Sequence, residues 1–232
     1  LGTILLPSLS RAHGEHASTE FSQLLDWGLR LTFLLAIPAA VAMAVLSQPL
    51  VSSLFYYGKF TPVDVLQTER ALIAYSLSLL GLIMVKVLAP GFYARQNVKT
   101  PVKIALLTLS ITQLLNILFW LFTPLQHAGL ALAVGLGACL NATLLWWMLQ
   151  RSGAYVPQSG WLGFLGKLLL AVSVMAVALH MSAAAAGNWL TMPPVSRIAH
   201  LAAIVLLGMT VYFAVLGLLG FRPRDYIKRV AR

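Results

Sequence analysis

Charged residues cluster along the chain, and long apolar stretches without Asp, Glu, Lys or Arg separate them. Such stretches cover 31–58, 71–85, 104–150, 168–196 and 198–221. A helix crossing the hydrocarbon core of a bilayer needs about 20 apolar residues. The stretch 104–150 is long enough for two such helices and breaks at Thr123–His127 (TPLQH). Lys86 interrupts another stretch, which resumes at Val87 and runs to Ala94. The pattern predicts six spans, at about 27–47, 70–93, 102–122, 128–149, 162–183 and 198–219. Apolar alternation with period two is absent, which argues against a β-barrel. The stretch Thr19–Leu31 differs, because Phe21, Leu24, Leu25, Gly28 and Leu31 share a helical face while Glu20, Gln23, Asp26 and Arg30 lie off it. It predicts an amphipathic helix on the membrane interface that bends into the first span, with Asp26 and Arg30 as an i,i+4 pair.

Composition turns this pattern into a class. Of the 232 residues, 59% are hydrophobic and 9% charged, where a soluble domain carries roughly 25% charged residues. A soluble domain, a nucleic-acid module and a disordered tail are excluded, which leaves an all-α polytopic membrane protein. The net charge of +10 then reports orientation. Twelve cations (Arg11, Arg30, Arg95, Lys99, Lys103, Arg151, Lys167, Arg222, Arg224, Lys228, Arg229 and Arg232) fall on one side of the predicted topology. Lys59, Arg70 and Arg197 fall on the other, so both ends are expected in the cytoplasm. The basic tail after Phe221 suits an anionic-lipid surface. The residues 1–10 read as the end of a helix whose beginning is missing, and the chain as a fragment of a longer protein. The expected division is 1–10, a cytoplasmic amphipathic segment 11–30, four spans over 31–150, and two further spans with the basic tail over 151–232.

Within the spans a few residues carry chemistry. Lys86 lies mid-helix, where an ammonium facing lipid costs several kcal/mol. It has two readings: a cation facing a polar cavity, suited to a phosphate, or a lysine that snorkels or caps carbonyls. Pro90 and Gly91 weaken the helix one turn later and are hinge or packing candidates, with Pro38 a lesser case. Gln113, Asn116 and Asn141 are amides inside spans, read as interhelical hydrogen bonds or cavity groups. Ala131, Gly135, Ala138 and Ala142 form a small-residue stripe for close packing, and Gly160, Gly163 and Gly166 suggest another. Phe55–Phe60 (FYYGKF) suits an interfacial aromatic belt, with substrate contact as the alternative. His180 sits near a span end and reads as interfacial. The lone Cys139 forms no internal disulfide. No phosphate-binding loop of the G-x-x-x-x-G-K-[ST] type and no Cys/His metal spacing occurs. None of the six carboxylates lies deep in a predicted span, so an enzyme would be short of catalytic groups. No cofactor, metal or nucleic acid is expected.

Several strings resemble one family. LGTILLPSLS at Leu1–Ser10, DWGLR at Asp26–Arg30, YGKF at Tyr57–Phe60, RALIAY at Arg70–Tyr75 and KVLAPGFY at Lys86–Tyr93 are similar to the MurJ/MviN lipid II flippases. So are KTPVK at Lys99–Lys103, HAGL at His127–Leu130 and ACLN at Ala138–Asn141, and Gly217–Phe221 before a basic tail resembles the family's end. The resemblance implies the C-terminal lobe of a fourteen-helix exporter of the multidrug/oligosaccharidyl-lipid/polysaccharide superfamily: the end of helix 8 plus six complete helices. It implies a transporter of the bacterial inner membrane, not an enzyme. The transporter would move lipid II between leaflets by rocking two lobes around a cationic cavity, with the last two helices forming a lipid-tail groove. Its partners would be lipid II, membrane lipids and the missing N-terminal lobe. The family's cavity arginines fall upstream of Leu1, so Lys86 is the leading local candidate for the diphosphate. A related exporter of other lipid-linked saccharides or of drugs, and a non-transporting scaffold, are the alternatives.

Overall fold

The computed structural model describes residues 17–123 and 126–221, and the side chains of 21–123 and 127–221. The expected helix end over 1–10, Arg11, Pro124 and Leu125 of the predicted turn, and the tail 222–232 lie outside the described residues. Seven helices follow in order among those described: α1 Ala17–Val45, α2 Ser47–Phe55, α3 Pro62–Tyr93, α4 Lys99–Phe122, α5 Gln126–Arg151, α6 Trp161–Ala185 and α7 Pro194–Leu218. All but α2 are long and apolar enough to cross a membrane, which gives the six expected spans. The fold is all-helical, as expected.

Among the described residues two compact units emerge: 17–36 with 77–160, and 37–76 with 161–221. This division differs from the linear one expected from the sequence, because its boundaries pass through α1 and α3.

Side chains in lipid lose little by leaving a neighbouring helix, so helix association here rests on close packing. In the first unit the tightest approach of a glycine to another helix's backbone is at Gly81 of α3. A Cβ there would lie 2.6 Å from the Cys139 amide nitrogen and 2.7 Å from the Ala138 carbonyl carbon of α5. The Cys139 thiol donates weakly to the Leu77 carbonyl at 3.7 Å at the same crossing. On another side of α5, Gly137 makes room for the Thr112 side chain of α4, whose hydroxyl donates to the Thr108 carbonyl at 2.8 Å. The expected stripe on α5 therefore packs: Gly135 and Ala142 are buried, with Ala131 and Ala138 partly so.

In the second unit α6 and α7 form an antiparallel hairpin. Phe164, Leu168, Ala171, Val172, Met175 and Leu179 are the buried face of α6. Leu201, Ile204, Gly208, Tyr212 and Leu216 are that of α7. Both sets follow the three-to-four spacing of one helix stripe. Gly208 admits the Leu179 side chain, and Phe221 meets Phe164 at 5.7 Å between ring centroids. That register leaves the first turns of α7 beyond the end of α6. The expected glycine stripe is not a packing face here. Gly160 precedes α6 with φ +89°, and Gly160, Gly163 and Gly166 are exposed with nothing within 4 Å of a Cβ.

The start of α3 is capped from within: the Asp64 carboxylate accepts from the Thr61 amide and hydroxyl at 2.8 and 2.7 Å, and the Asp64 amide donates to the Thr61 hydroxyl at 3.3 Å. This reciprocal pair fixes where the aromatic corner ends and the helix begins.

Replacing Gly81 by Val drives a branched side chain into backbone that cannot step aside. The variant should lose about 1–3 kcal/mol or more, read as a lower melting temperature of the detergent-purified protein, while Gly163→Val should melt with the parent.

Candidate functional site

The cation singled out by the sequence is placed on an open face. Lys86 is exposed on α3, and Leu82 and Tyr93 are exposed on the same stripe at spacings of four and seven. No hydrogen bond or ion pair holds its ammonium among the described residues. The sequence from Leu77 to Gly160 contains no carboxylate. The one carboxylate among the described side chains of this unit, Asp26, is engaged elsewhere. Lys86 is thus a charge without a local counter-charge, about two turns before the end of the 32-residue α3 rather than at its middle as the sequence suggests.

Pro90 offers no N–H to the carbonyl of residue 86, one turn back. Even so, α3 continues to Tyr93, and the chain closes with Ala94 donating to the Pro90 carbonyl at 2.9 Å. Pro90 and Gly91 are buried. A Cβ at Gly91 would sit 3.5 Å from Leu149 and 3.7 Å from Leu25, ordinary contact distances. Space alone therefore does not demand glycine there. Pro38 is buried inside α1, two residues past the unit boundary at Ala36.

The three amides are not brought to Lys86 by any hydrogen bond. Asn116 donates to Gln113 at 3.3 Å within α4, and Gln113 is exposed. The Asn116 and Asn141 side-chain oxygens are buried with no partner among the described residues. The expected interhelical hydrogen bonds of these amides are not formed there. His180 is exposed near the end of α6.

Two polar centres escaped sequence reading. The first concerns the stretch expected to be an amphipathic surface helix. It is continuous with the first span in α1, and Phe21, Ser22 and Leu25–Leu29 are buried. The physical reason is the connector after α5, which covers the polar face. Asp26, 3% exposed, pairs with Arg30 at 2.8 Å as expected. It also accepts from the Tyr155 hydroxyl at 2.9 Å and the Gln158 amide at 3.2 Å. Arg30 donates to the Ser159 carbonyl at 2.9 Å. The Ser22 hydroxyl donates to the Val156 carbonyl and accepts from its amide, at 2.8 and 2.9 Å. The available signal was a carboxylate flanked closely by Leu25 and Trp27, which a freely solvated face would not need. The second centre is Arg197, the one charge between Lys167 and Arg222. It is buried at the start of α7 against the α2 corner.

The family model described as lipid II flippase MurJ matches residues 1–200. The chain belongs to the MurJ lipid II flippase family. The lipid II flippase MurJ of Burkholderia cenocepacia is 48% identical over 232 residues, covering 99% of this chain and 44% of the relative. A probable lipid II flippase MurJ of Vibrio cholerae is 38% identical over 226 residues, covering 97% of this chain and 42% of the relative. A solved lipid II flippase MurJ in an inward closed conformation shares the fold, with a TM-score of 0.73 at 23% identity, over 97% of this chain and 43% of that one. The chain thus spans less than half the length of these MurJ proteins. The resemblance drawn from KVLAPGFY and its companion strings is borne out at the level of family and fold.

Removing the hub of the α1 centre strands several groups together. Asp26→Ala should destabilise the protein by about 1.5–3 kcal/mol, and Tyr155→Phe by about 1 kcal/mol. Denaturation in mixed micelles reads both, and equal effects would show that the carboxylate is no hub.

Proposed function

We propose that this chain is the C-terminal part of a lipid II flippase of the bacterial inner membrane. It works with an N-terminal lobe to carry undecaprenyl-diphosphate-linked peptidoglycan precursor from the cytoplasmic to the periplasmic leaflet. The observation that carries this reading is the 48% identity to the Burkholderia cenocepacia flippase over the whole matched length. Lys86 supports it chemically. A diphosphate is the counter-charge that this lysine lacks, and a charged hydrogen bond to phosphate is worth about 1.5–3 kcal/mol. The apolar surfaces of α6 and α7, with Leu162, Leu169, Leu206 and Phe213 exposed, suit the lipid phase and a prenyl tail.

The transport is a conformational cycle and not bond chemistry. The enclosing helices alternate between two arrangements, and binding energy at the diphosphate biases them. Pro90 and Gly91 are the flexible point beside Lys86, and Pro38 is that of α1. Gln113, Asn116 and Asn141 are further groups of the cavity. Positive charge on the α3–α4 connection, at Arg95, Lys99 and Lys103, supports a cytoplasmic face there and a cytoplasmic C-terminus.

In the full-length protein, Lys86→Ala should lower lipid II flipping about tenfold or more at unchanged expression, and Lys86→Arg should keep most of it. Normal growth complementation by the alanine variant would remove Lys86 from the mechanism. Gly91→Ala should leave the melting temperature unchanged or raise it, because alanine favours helix by about 1 kcal/mol, yet reduce flipping. Full activity with Gly91→Ala would make this a static packing site.

A further inference from the structure

Arg197 concentrates more interactions than any role as an orientation charge requires. Its Nε donates to the Met192 carbonyl at 2.8 Å. One terminal nitrogen donates to the Ser52 carbonyl at 2.9 Å and to the Tyr56 carbonyl at 3.3 Å. The guanidinium lies over the Tyr56 ring at 5.0 Å and near the Tyr57 ring at 5.8 Å. Only 5% of the residue is exposed.

The receiving side is the end of α2. A helix leaves its last four carbonyls without intrahelical donors, and its C-terminus carries partial negative charge. Here the Tyr57 hydroxyl donates to the Ser53 carbonyl, and the Tyr57 amide to the Phe55 carbonyl at 2.7 Å. Arg197 supplies donors for Ser52 and Tyr56 from a helix more than 140 residues further on. A buried guanidinium is costly unless its fork is matched, and this one is matched only while α2, the turn before α7 and α7 keep one mutual arrangement.

We infer that Arg197 is a clasp that makes the α2 corner and the α6–α7 hairpin a single moving body. In this arrangement the last two helices are not an independent appendage. Any motion of the corner that follows α1 carries the hairpin with it. The clasp itself rests on the geometry, and only its use during transport rests on the flippase reading.

The test uses the full-length protein in nanodiscs, in a background without other cysteines, with spin labels at Leu54→Cys and Val195→Cys. Both positions are exposed, on α2 and at the start of α7. Double electron–electron resonance should give one narrow distance distribution, the same with and without added lipid II. In Arg197→Gln it should broaden or split, and in Arg197→Lys it should lie between, because an ammonium cannot present a planar fork. A distribution that shifts or splits on adding lipid II while Arg197 is intact overturns the clasp, as does an unchanged distribution in Arg197→Gln. The intact protein alone decides the first point, so a glutamine variant that fails to fold does not spare the proposal. A narrow, constant distance in a protein that does not flip lipid II would retire the flippase reading and leave the clasp standing.

Discussion

A bilayer interior offers no water to complete a hydrogen bond, and that single deficit governs where this chain puts its polar groups. Hydroxyls within the spans turn back onto their own helices: Thr108 donates to the Ile104 carbonyl, Thr143 to Cys139 and Thr210 to Leu206. Asp26 gathers three donors, and Arg197 shares its own among three carbonyls. Lys86, like Lys103 and Lys167, is a span charge with no partner among the described residues, and the Asn116 and Asn141 side-chain oxygens are unmet as well.

The same deficit explains what was legible beforehand. Charge-free runs mark spans because lipid tolerates little else, so α1 and α3–α7 could be drawn from composition alone, to within about four residues at their ends, except that α1 and α3 begin ten and eight residues before the spans expected at 27 and 70. The nine-residue α2 could not, since Ser47, Gln48, Ser52 and Ser53 give it no apolar signature. The two polar centres were illegible for another reason. Tyr155 lies 129 residues from Asp26, and Ser52 lies 145 from Arg197. Side-chain pairing at such separations has no local pattern. Local spacing also misled once: Gly160, Gly163 and Gly166 look like a packing stripe until the register of α6 with α7 shows the contact face to run through Phe164 and Leu168.

Family membership and site assignment rest on different supports. Ordered strings such as RALIAY and KVLAPGFY extend over most of the chain, so the family is secure from sequence. Lys86 stands out by its place in an apolar run, a physical criterion independent of family membership.

The Asp26–Tyr155 contact also bears on how the protein is made. A ribosome adds roughly 5–20 residues per second, so α1 waits on the order of ten seconds before its distant partner exists. A bare carboxylate would be a poor passenger in a translocon for that time. Arg30 is one turn away and emerges almost at once, so the ion pair serves as an escort for the nascent helix. Residues 155–159 then add their donors to the ion pair, which the finished structure keeps.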